Sequence, residues 1–537
     1  MRVVPYLISA LIGVLVMDYY PQTLWYFLFI LLIPLLNDSD THPVDFSNKK
    51  SVFGALSLMF LFGFIFAIGS TLWFVDTYPL DWIRIYDPRV CLIIIGGMWT
   101  LFGIAMALPI APWILLVRFS KNKDPLFIAI WGASCWVLLE YARSWFVAVA
   151  VYGTETLFGP HHTYYSLAYP LSSAPFLKEL LPMGGIYLTS FVVILGNYLL
   201  YFFLRIYVLR NMKGVLSSLY PLLFFIGSII FVSIYTLGEI RNKNEVSALS
   251  PFEAVVITTH VPPGTKDISV TEKEHVAFNA VNSVQNKNAV ILLPENLNAL
   301  TPYRNKEGFP YASIYQDHVI IGSFSGEKLA TMFFLDPKTG KTEYTSKRLL
   351  MPIGEYSITW VEFLLRKTQS SDWIKNYEKS LHSSNKQTRP LIFKDPQRDD
   401  IRVAGTLCAE NISPYLYRDA ANLGATVFVS LASHAPFHGS PFLLRQTIAI
   451  NTTRALESGR YFITASNYTP SFVISDTGIL KYTSHSKEIF SSFTTKIYPK
   501  TYMTPYARFG DYMLILCGIF VALAIIWGVK KDSPSLE

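Results

Sequence analysis

Three side chains in the second half of the chain could do chemistry together: Glu295 in "LLPEN", Lys347 in "SKRLLMPIGEY" and Cys408 in "TLCAE". A thiol becomes a nucleophile when a base takes its proton and a cation or N–H donor steadies the oxyanion formed on attack. A carboxylate, an ammonium and a thiol supply those three parts. Glu295 and Cys408 each end an apolar, β-like run. In parallel α/β sheets, groups at the carboxyl ends of strands converge on one edge. Lys347 follows a hairpin-like stretch and could reach the same edge. The plainer alternative is a buried core thiol, a strand-capping glutamate and a surface lysine. A disulfide is a third option for Cys408. However, Cys91, Cys135 and Cys517 all fall in apolar stretches, and a bridge would need one of them at the same depth.

The elements that must position these residues fall into two bodies. Of the 537 residues, 51% are hydrophobic and only 15% charged, below the quarter usual for soluble domains. Apolar stretches dominate residues 1–236. Seven spans are expected there, at about 4–18, 22–36, 52–74, 90–117, 126–150, 184–205 and 217–236, and an eighth at 510–528, judged against the ~20 residues that cross a hydrocarbon core. Tyr19–Pro21 is the expected turn between the first two, and Pro109 and Pro112 mark a kink in the fourth. The first segment lacks a small-residue cleavage site and reads as a retained anchor.

Charge orients the bundle. Arg2, Lys49–Lys50, Arg118 with Lys121 and Lys123, and Arg205 with Arg210 and Lys213 fall in every second connection, and Lys530–Lys531 follow the last span. Cytoplasmic loops carry the excess of Lys and Arg. That places loop 151–183 and all of 237–509 outside, with Arg84 and Arg89 as minor exceptions. The net charge of +7 is thus spread over loop flanks, with no aromatic-interleaved basic stripe, so no nucleic-acid partner is expected.

Residues 237–505 read as an α/β domain. Strands are expected at 252–260, 288–296, 318–325, 402–410, 424–433, 461–466 and 471–478, and a hairpin at 331–346 turning at Pro337–Gly340. Helices are expected at 272–286 and 441–458, and a polar excursion at 364–389. Apolar strands alternating with helices argue for a layered α/β architecture.

"LLPEN", "KRLLMPIGE" and "TLCAE" resemble the three signature segments of the carbon–nitrogen hydrolase, or nitrilase-like, superfamily. "RALESGR" (454–460) and "ASN" (465–467) resemble its segments after the nucleophile. In the membrane half, "FGALSLMFLFGFIFAIGSTLWF" (53–74), "WVLLEYARSWF" (136–146) and "LPMGGIYLTSFV" (181–192) resemble apolipoprotein N-acyltransferases, the membrane-embedded family of that superfamily. The resemblance covers nearly the whole chain. It implies a multi-pass α-helical membrane bundle plus an α/β nitrilase-like α-β-β-α sandwich domain. Residues 1–236 would be the bundle, 237–505 the periplasmic catalytic domain, 510–528 a last membrane helix and 529–537 a cytoplasmic tail.

The resemblance also implies roles. Glu295 would be the general base, Lys347 the oxyanion partner and Cys408 the nucleophile. Glu355 and Glu410 would be auxiliary acids positioning the lysine or an acceptor amine. Glu140 and Arg143, three apart on one membrane helix, would be a structural pair or substrate contacts. The implied reaction moves a fatty acyl group from a phospholipid through a Cys408 thioester to the N-terminal amine of a diacylglyceryl-cysteine lipoprotein, at a bacterial inner membrane. No cofactor or metal is implied, and a monomer is expected. His434 and His438 are spaced like a metal pair, but Pro436 argues against a helix between them. His161 and His162 in an outer loop carry no metal pattern either. The sequence departs from the family at Ala409, at "ITTHVPPG" (257–264), at "SHAPFHG" (433–439) and at "YGTETLFG" (152–159). The alternatives are therefore a membrane-bound nitrilase-like amidase, a paralogue acylating another amine, or a non-enzymatic envelope scaffold.

Overall fold

The computed structural model describes residues 2–19, 23–83, 85–118, 124–208, 212–246, 249–263, 270–285, 288–295, 297, 318–325, 329–336, 341–367, 392–394, 398, 400–483 and 488–532. The rest of the Tyr19–Pro21 turn, the Pro337–Gly340 turn, Arg84, Lys121, Lys123, Arg210, most of 364–389 and the end of the tail lie outside these residues.

The apolar half is helical: α1 (Val3–Val14), α2 (Ile33–Thr41), α3 (Lys49–Gly69), α4 (Pro88–Ala107), α5 (Trp113–Arg118), α6 (Pro125–Ala150), α7 (Leu180–Val208) and α8 (Met212–Val246). Lys49–Gly69, Pro88–Ala107, Pro125–Ala150, Leu177–Val208 and Leu219–Glu239 are long and apolar enough to cross a membrane, and Val3–Asp18 and Tyr512–Trp527 are shorter apolar helices.

Four boundaries differ from the expected ones. The segment 22–36 is not one span. A 3₁₀ turn covers Trp25–Phe29, and α2 starts afresh with Pro34 in its first turn, the only helical position where the missing N–H costs nothing. The expected span 90–117 is two helices, because Pro109 and Pro112 fall between α4 and α5 and proline removes an interior hydrogen bond. Helix α7 begins at Leu180 and breaks at Gly184 and Gly185, whose φ of +65° only glycine adopts freely. Helix α8 passes the expected boundary at 236 and ends at Val246, since Glu, Arg and Lys in "GEIRNKNEV" are good helix formers. The sheet domain therefore opens at Phe252.

Basic flanks gather at one end of the bundle. Arg2 pairs with Asp38, Arg205 pairs with Asp40, and Arg118 donates to the carbonyl of His42.

Twelve strands are present among the described residues: β1 (Phe252–Thr259), β2 (Val290–Leu292), β3 (Val319–Ser325), β4 (Ala330–Asp336), β5 (Lys341–Ser346), β6 (Ile392–Lys394), β7 (Arg402–Leu407), β8 (Val427–Ser433), β9 (Tyr461–Asn467), β10 (Phe472–Ile474), β11 (Leu480–Thr483) and β12 (Phe490–Ile497). They run β5-β4-β3-β2-β1-β9-β8-β7-β6, with β12 on β1 and β10–β11 on β9. Strands β1 and β9 meet only at Thr259 and Asn467. The sheet bends there into two halves that face each other. Phe334 of β4 stacks on Phe393 of β6, with ring centroids 5.4 Å apart.

Each half carries helices on its outer face. Helix α9 (Val270–Asn282) packs Ala277 and Ala280 against Val255 and Ile257. On the other side, α11 (Pro414–Asn422) and α12 (Pro441–Ser458), which follow α10 (Thr359–Lys367), pack Tyr417, Ala421 and Ala455 against Phe428 and Phe462. The four layers are α-β-β-α, as expected. Strand β1 shows the sequence logic. Ala254 and Val256 face the inner core while Val255 and Ile257 face α9, so the strand is apolar on both sides. Short α13 (Pro505–Phe509) then leads into α14 (Tyr512–Asp532).

The inner layer has no slack at Gly405 of β7, where a Cβ would collide with the Met332 sulfur of β4. Gly405→Val is expected to destabilise the protein by about 1–3 kcal/mol through overpacking, read as a lower melting temperature in detergent. An unchanged melting temperature would contradict face-to-face packing of the two halves.

Candidate active site

Three strand ends and one hairpin bring the predicted residues together. Glu295 follows β2, Cys408 follows β7, and Ser433 ends β8; β2 runs parallel to β1, and β7, β8 and β9 run parallel to one another. Lys347 follows β5 and is fixed by its own N–H, which donates to the carbonyl of Ala330 at 2.8 Å. Its ammonium is buried and donates to Glu355 Oε1 at 2.7 Å and Glu295 Oε1 at 3.3 Å. Glu355 in turn accepts from the N–H of Met351 at 2.7 Å, so it is locked before it holds the lysine.

Cys408 stands at the turn out of β7, with φ of +43°. Non-glycine residues rarely occupy this region, and the strain is retained only where surrounding contacts over-determine it. The turn continues as a 3₁₀ helix over Cys408–Ile412. Cys408 remains partly accessible, unlike the other three cysteines.

The electrostatics assign a resting state. Burial, then the charge of Glu295, push the Cys408 thiol up to about 12, against the opposing pull of Lys347. Burial also raises the Glu295 carboxyl, partly offset by Lys347. Burial lowers Lys347, but Glu295 and Glu355 more than reverse it and hold it well above the usual lysine range. The backbone N–H of Ser433 favours the ionised forms of both Glu295 and Cys408. The arrangement is a protonated thiol beside an ion-paired carboxylate. Such a thiol reacts only if its proton moves to the base during attack.

Glu410 positions the lysine segment indirectly, through Arg348. It does not touch Lys347. Its Oε1 accepts from Arg348 Nε and from the Arg348 N–H, both at 3.0 Å, and its Oε2 accepts from the Leu407 N–H at 2.8 Å. It thus clamps the lysine segment to the nucleophile turn. Arg348 was not among the residues singled out from the sequence; its one signal was its place beside Lys347.

The outer loop after α6 was also missed. Ala150, Val151 and Tyr152 accept from Trp360, Tyr356 and Thr359, and Thr156 Oγ1 accepts from the Leu350 N–H at 3.0 Å. Further on, His161 Nδ1 lies 2.8 Å from Ser413 Oγ, and Thr163 donates to the carbonyl of Ile412 at 2.6 Å. "YGTETLFG" therefore braces the lysine loop and "HHT" braces the nucleophile turn. Glu140 and Arg143 lie apart from the Glu–Lys–Cys cluster. Both are buried; Ser190 donates to Glu140, and Arg143 donates to the carbonyl of Tyr164 at 2.9 Å. His434 bonds Thr469 and His438 bonds the carbonyl of Asp76.

A cavity of about 350 Å³ opens between the bundle and the sheet domain. Ile94, Leu101 and Ala105 of α4 line one part, and Met351, Gly354 and Tyr164 line another. Glu295, Lys347 and Cys408 do not line it; the 351–354 segment that follows Lys347 does.

Two outcomes are expected from this geometry. In Glu295→Gln the negative charge that disfavours the thiolate is gone, so the Cys408 titration midpoint should fall below its wild-type position near 12. Thiolate absorbance, with Cys408→Ala as the blank, reads it; an upward shift would contradict the assignment. Glu410→Ala leaves Arg348 buried without its carboxylate and should cost about 3–5 kcal/mol, measured by denaturant or thermal unfolding.

Residues 13–199 match the family model for the apolipoprotein N-acyltransferase N-terminal domain. No curated protein matches the chain. Among solved structures, it is similar to an amidase from Nesterenkonia sp., at 13% identity and a TM-score of 0.33, over 49% of this chain and 94% of that one. It is also similar to Saccharomyces cerevisiae Nit3, a member of branch 10 of the nitrilase superfamily, at 11% identity and a TM-score of 0.34, over 47% of this chain and 92% of that one. The bundle that braces the Glu295–Lys347–Cys408 cluster through its 150–166 loop is thus similar, over residues 13–199, to the apolipoprotein N-acyltransferase N-terminal domain.

Proposed function

We propose that the protein transfers a fatty acyl group from a membrane phospholipid to the N-terminal amine of a diacylglyceryl-cysteine lipoprotein. The observation that carries this reading is the Glu295–Lys347–Cys408 cluster together with an apolar cavity that is walled partly by membrane helices and partly by the 351–354 segment following Lys347. A water-soluble substrate would not need such walls, whereas an acyl chain does.

Glu295 takes the Cys408 proton as sulfur attacks the ester carbonyl carbon. Lys347 balances the negative charge that develops on the carbonyl oxygen. The ester C–O bond breaks, and the leaving lysophospholipid oxygen takes the proton back from Glu295. The amine then attacks the thioester, the C–S bond breaks, and the amine's proton returns through Glu295 to the thiolate. Glu355 keeps Lys347 in place through both halves. The sheet domain is assigned to the outer face of the inner membrane. The support is the gathering of Arg2, Arg118 and Arg205 at one end of the bundle, read with the excess of basic residues on cytoplasmic loops.

Incubation with phospholipid labelled in its acyl chain should yield a hydroxylamine-sensitive label on the protein, absent in Cys408→Ala. A diacylated lipopeptide should then discharge it as an amide. Glu295→Gln should slow acylation about 10²- to 10⁴-fold, the usual worth of a general base. Release of free fatty acid with no amide would replace this reading with an amidase-like one that uses water as acceptor.

A further inference from the structure

The two adjacent histidines of the outer loop have different surroundings. His161 is bonded to Ser413. His162 is 5% exposed and lines the cavity, and among the described residues neither of its ring nitrogens has a hydrogen-bond partner. Its ring lies nearly parallel to that of Tyr164, with centroids 6.1 Å apart at 15°. A phenylalanine would fill that position equally well. Both ring nitrogens keep some access to the cavity, so the histidine presents to whatever fills it a polar edge that a phenylalanine would lack. The indole N–H of Trp82, which lines the same cavity, is buried without a partner among the described residues.

The chemistry of the missing partner is narrow. Burial, with His161 contributing second, lowers His162 to about 3. It is therefore neutral across the physiological range and cannot serve as the counter-charge of a phosphate or carboxylate. It offers one N–H donor and one nitrogen acceptor. The rest of the wall is mainly apolar, and Thr163, the residue between His162 and Tyr164, is bonded to the carbonyl of Ile412 at the end of the turn that starts at Cys408. A ligand that fits has an apolar chain and a neutral oxygen close to its reacting end.

We infer that His162 recognises an ester carbonyl of the bound glycerolipid and so sets which lipid class enters and how far its head advances toward Cys408. The inference rests on the reading of this cavity as the acyl-donor site. His162 acts here on the substrate's position and not on proton transfer.

The test uses the full chain as Cys408→Ala, which binds without turnover. Affinity for a diester phospholipid and for its diether analogue is measured by displacement of a fluorescent phospholipid. Cys408→Ala should prefer the diester by about 3- to 10-fold, the worth of one hydrogen bond. Adding His162→Phe, which keeps the ring contact with Tyr164, should reduce that ratio to about one. His162→Gln keeps a donor and an acceptor and should retain most of it, which guards against a folding defect in the phenylalanine variant. An undiminished ratio in a folded His162→Phe protein, no ratio in Cys408→Ala, or loss of the ratio in a folded glutamine variant would each overturn the inference. Full restoration of binding by a diether lipid with a hydroxylated chain would overturn the ester assignment. Acyl-enzyme formation without a His162-dependent ratio would leave the transfer reading standing; the ratio without any acyl-enzyme would do the reverse.

Discussion

Lys347 is a positive charge with almost no access to water, and that constraint governs the site. An ammonium stays charged in such a place only with carboxylates against it. Two are present, Glu295 and Glu355. After burial, both of them push the Cys408 thiol up. The thiol therefore rests protonated, and its proton can leave only if a neighbouring carboxylate takes it.

Such a cluster tolerates little displacement, yet its members come from three separate segments. Glu410 ties the segment after β5 to the turn after β7. The loop after α6 ties both to the bundle, through Thr156 on one side and Thr163 on the other. Arg143, buried inside a membrane helix, holds the carbonyl of Tyr164 and with it the end of that loop. Charge at that depth is costly unless it is bonded, and here the bond serves to anchor the loop that braces the nucleophile turn. The helical half is thus part of the site's scaffold.

The cavity follows from the same joint. Its walls are the apolar faces left where α4 and the 351–360 loop meet without closing. Few polar groups reach it, so those that do carry most of the information about what binds. His162 and Tyr164 are two of them, on the loop that the Arg143 contact holds in place, and Thr77 and the Trp82 indole are others.

Much of this was legible in the chain. Apolar runs marked the helices, apolar strands followed by polar residues marked the sheet edge, and Glu295, Lys347 and Cys408 each stood at such an end. Helix Pro441–Ser458 fell where its pattern placed it. The breaks at Pro109–Pro112 and Gly184–Gly185 were underestimated, because hydropathy averages over a window while a helix ends at one missing or misplaced hydrogen bond. What the residues alone could not assign was Glu410, Arg348, Thr156, His161, Thr163 and His162. Each acts across the fold, as Glu410 does over 62 positions to Arg348 and Thr163 over 249 to Ile412. The sequence by itself determined which groups stand at strand ends, since that depends on local periodicity. Only the tertiary structure decided which carboxylate holds the lysine, which holds the turn and which histidine is left unbonded, since those depend on distances between segments that no spacing along the chain encodes.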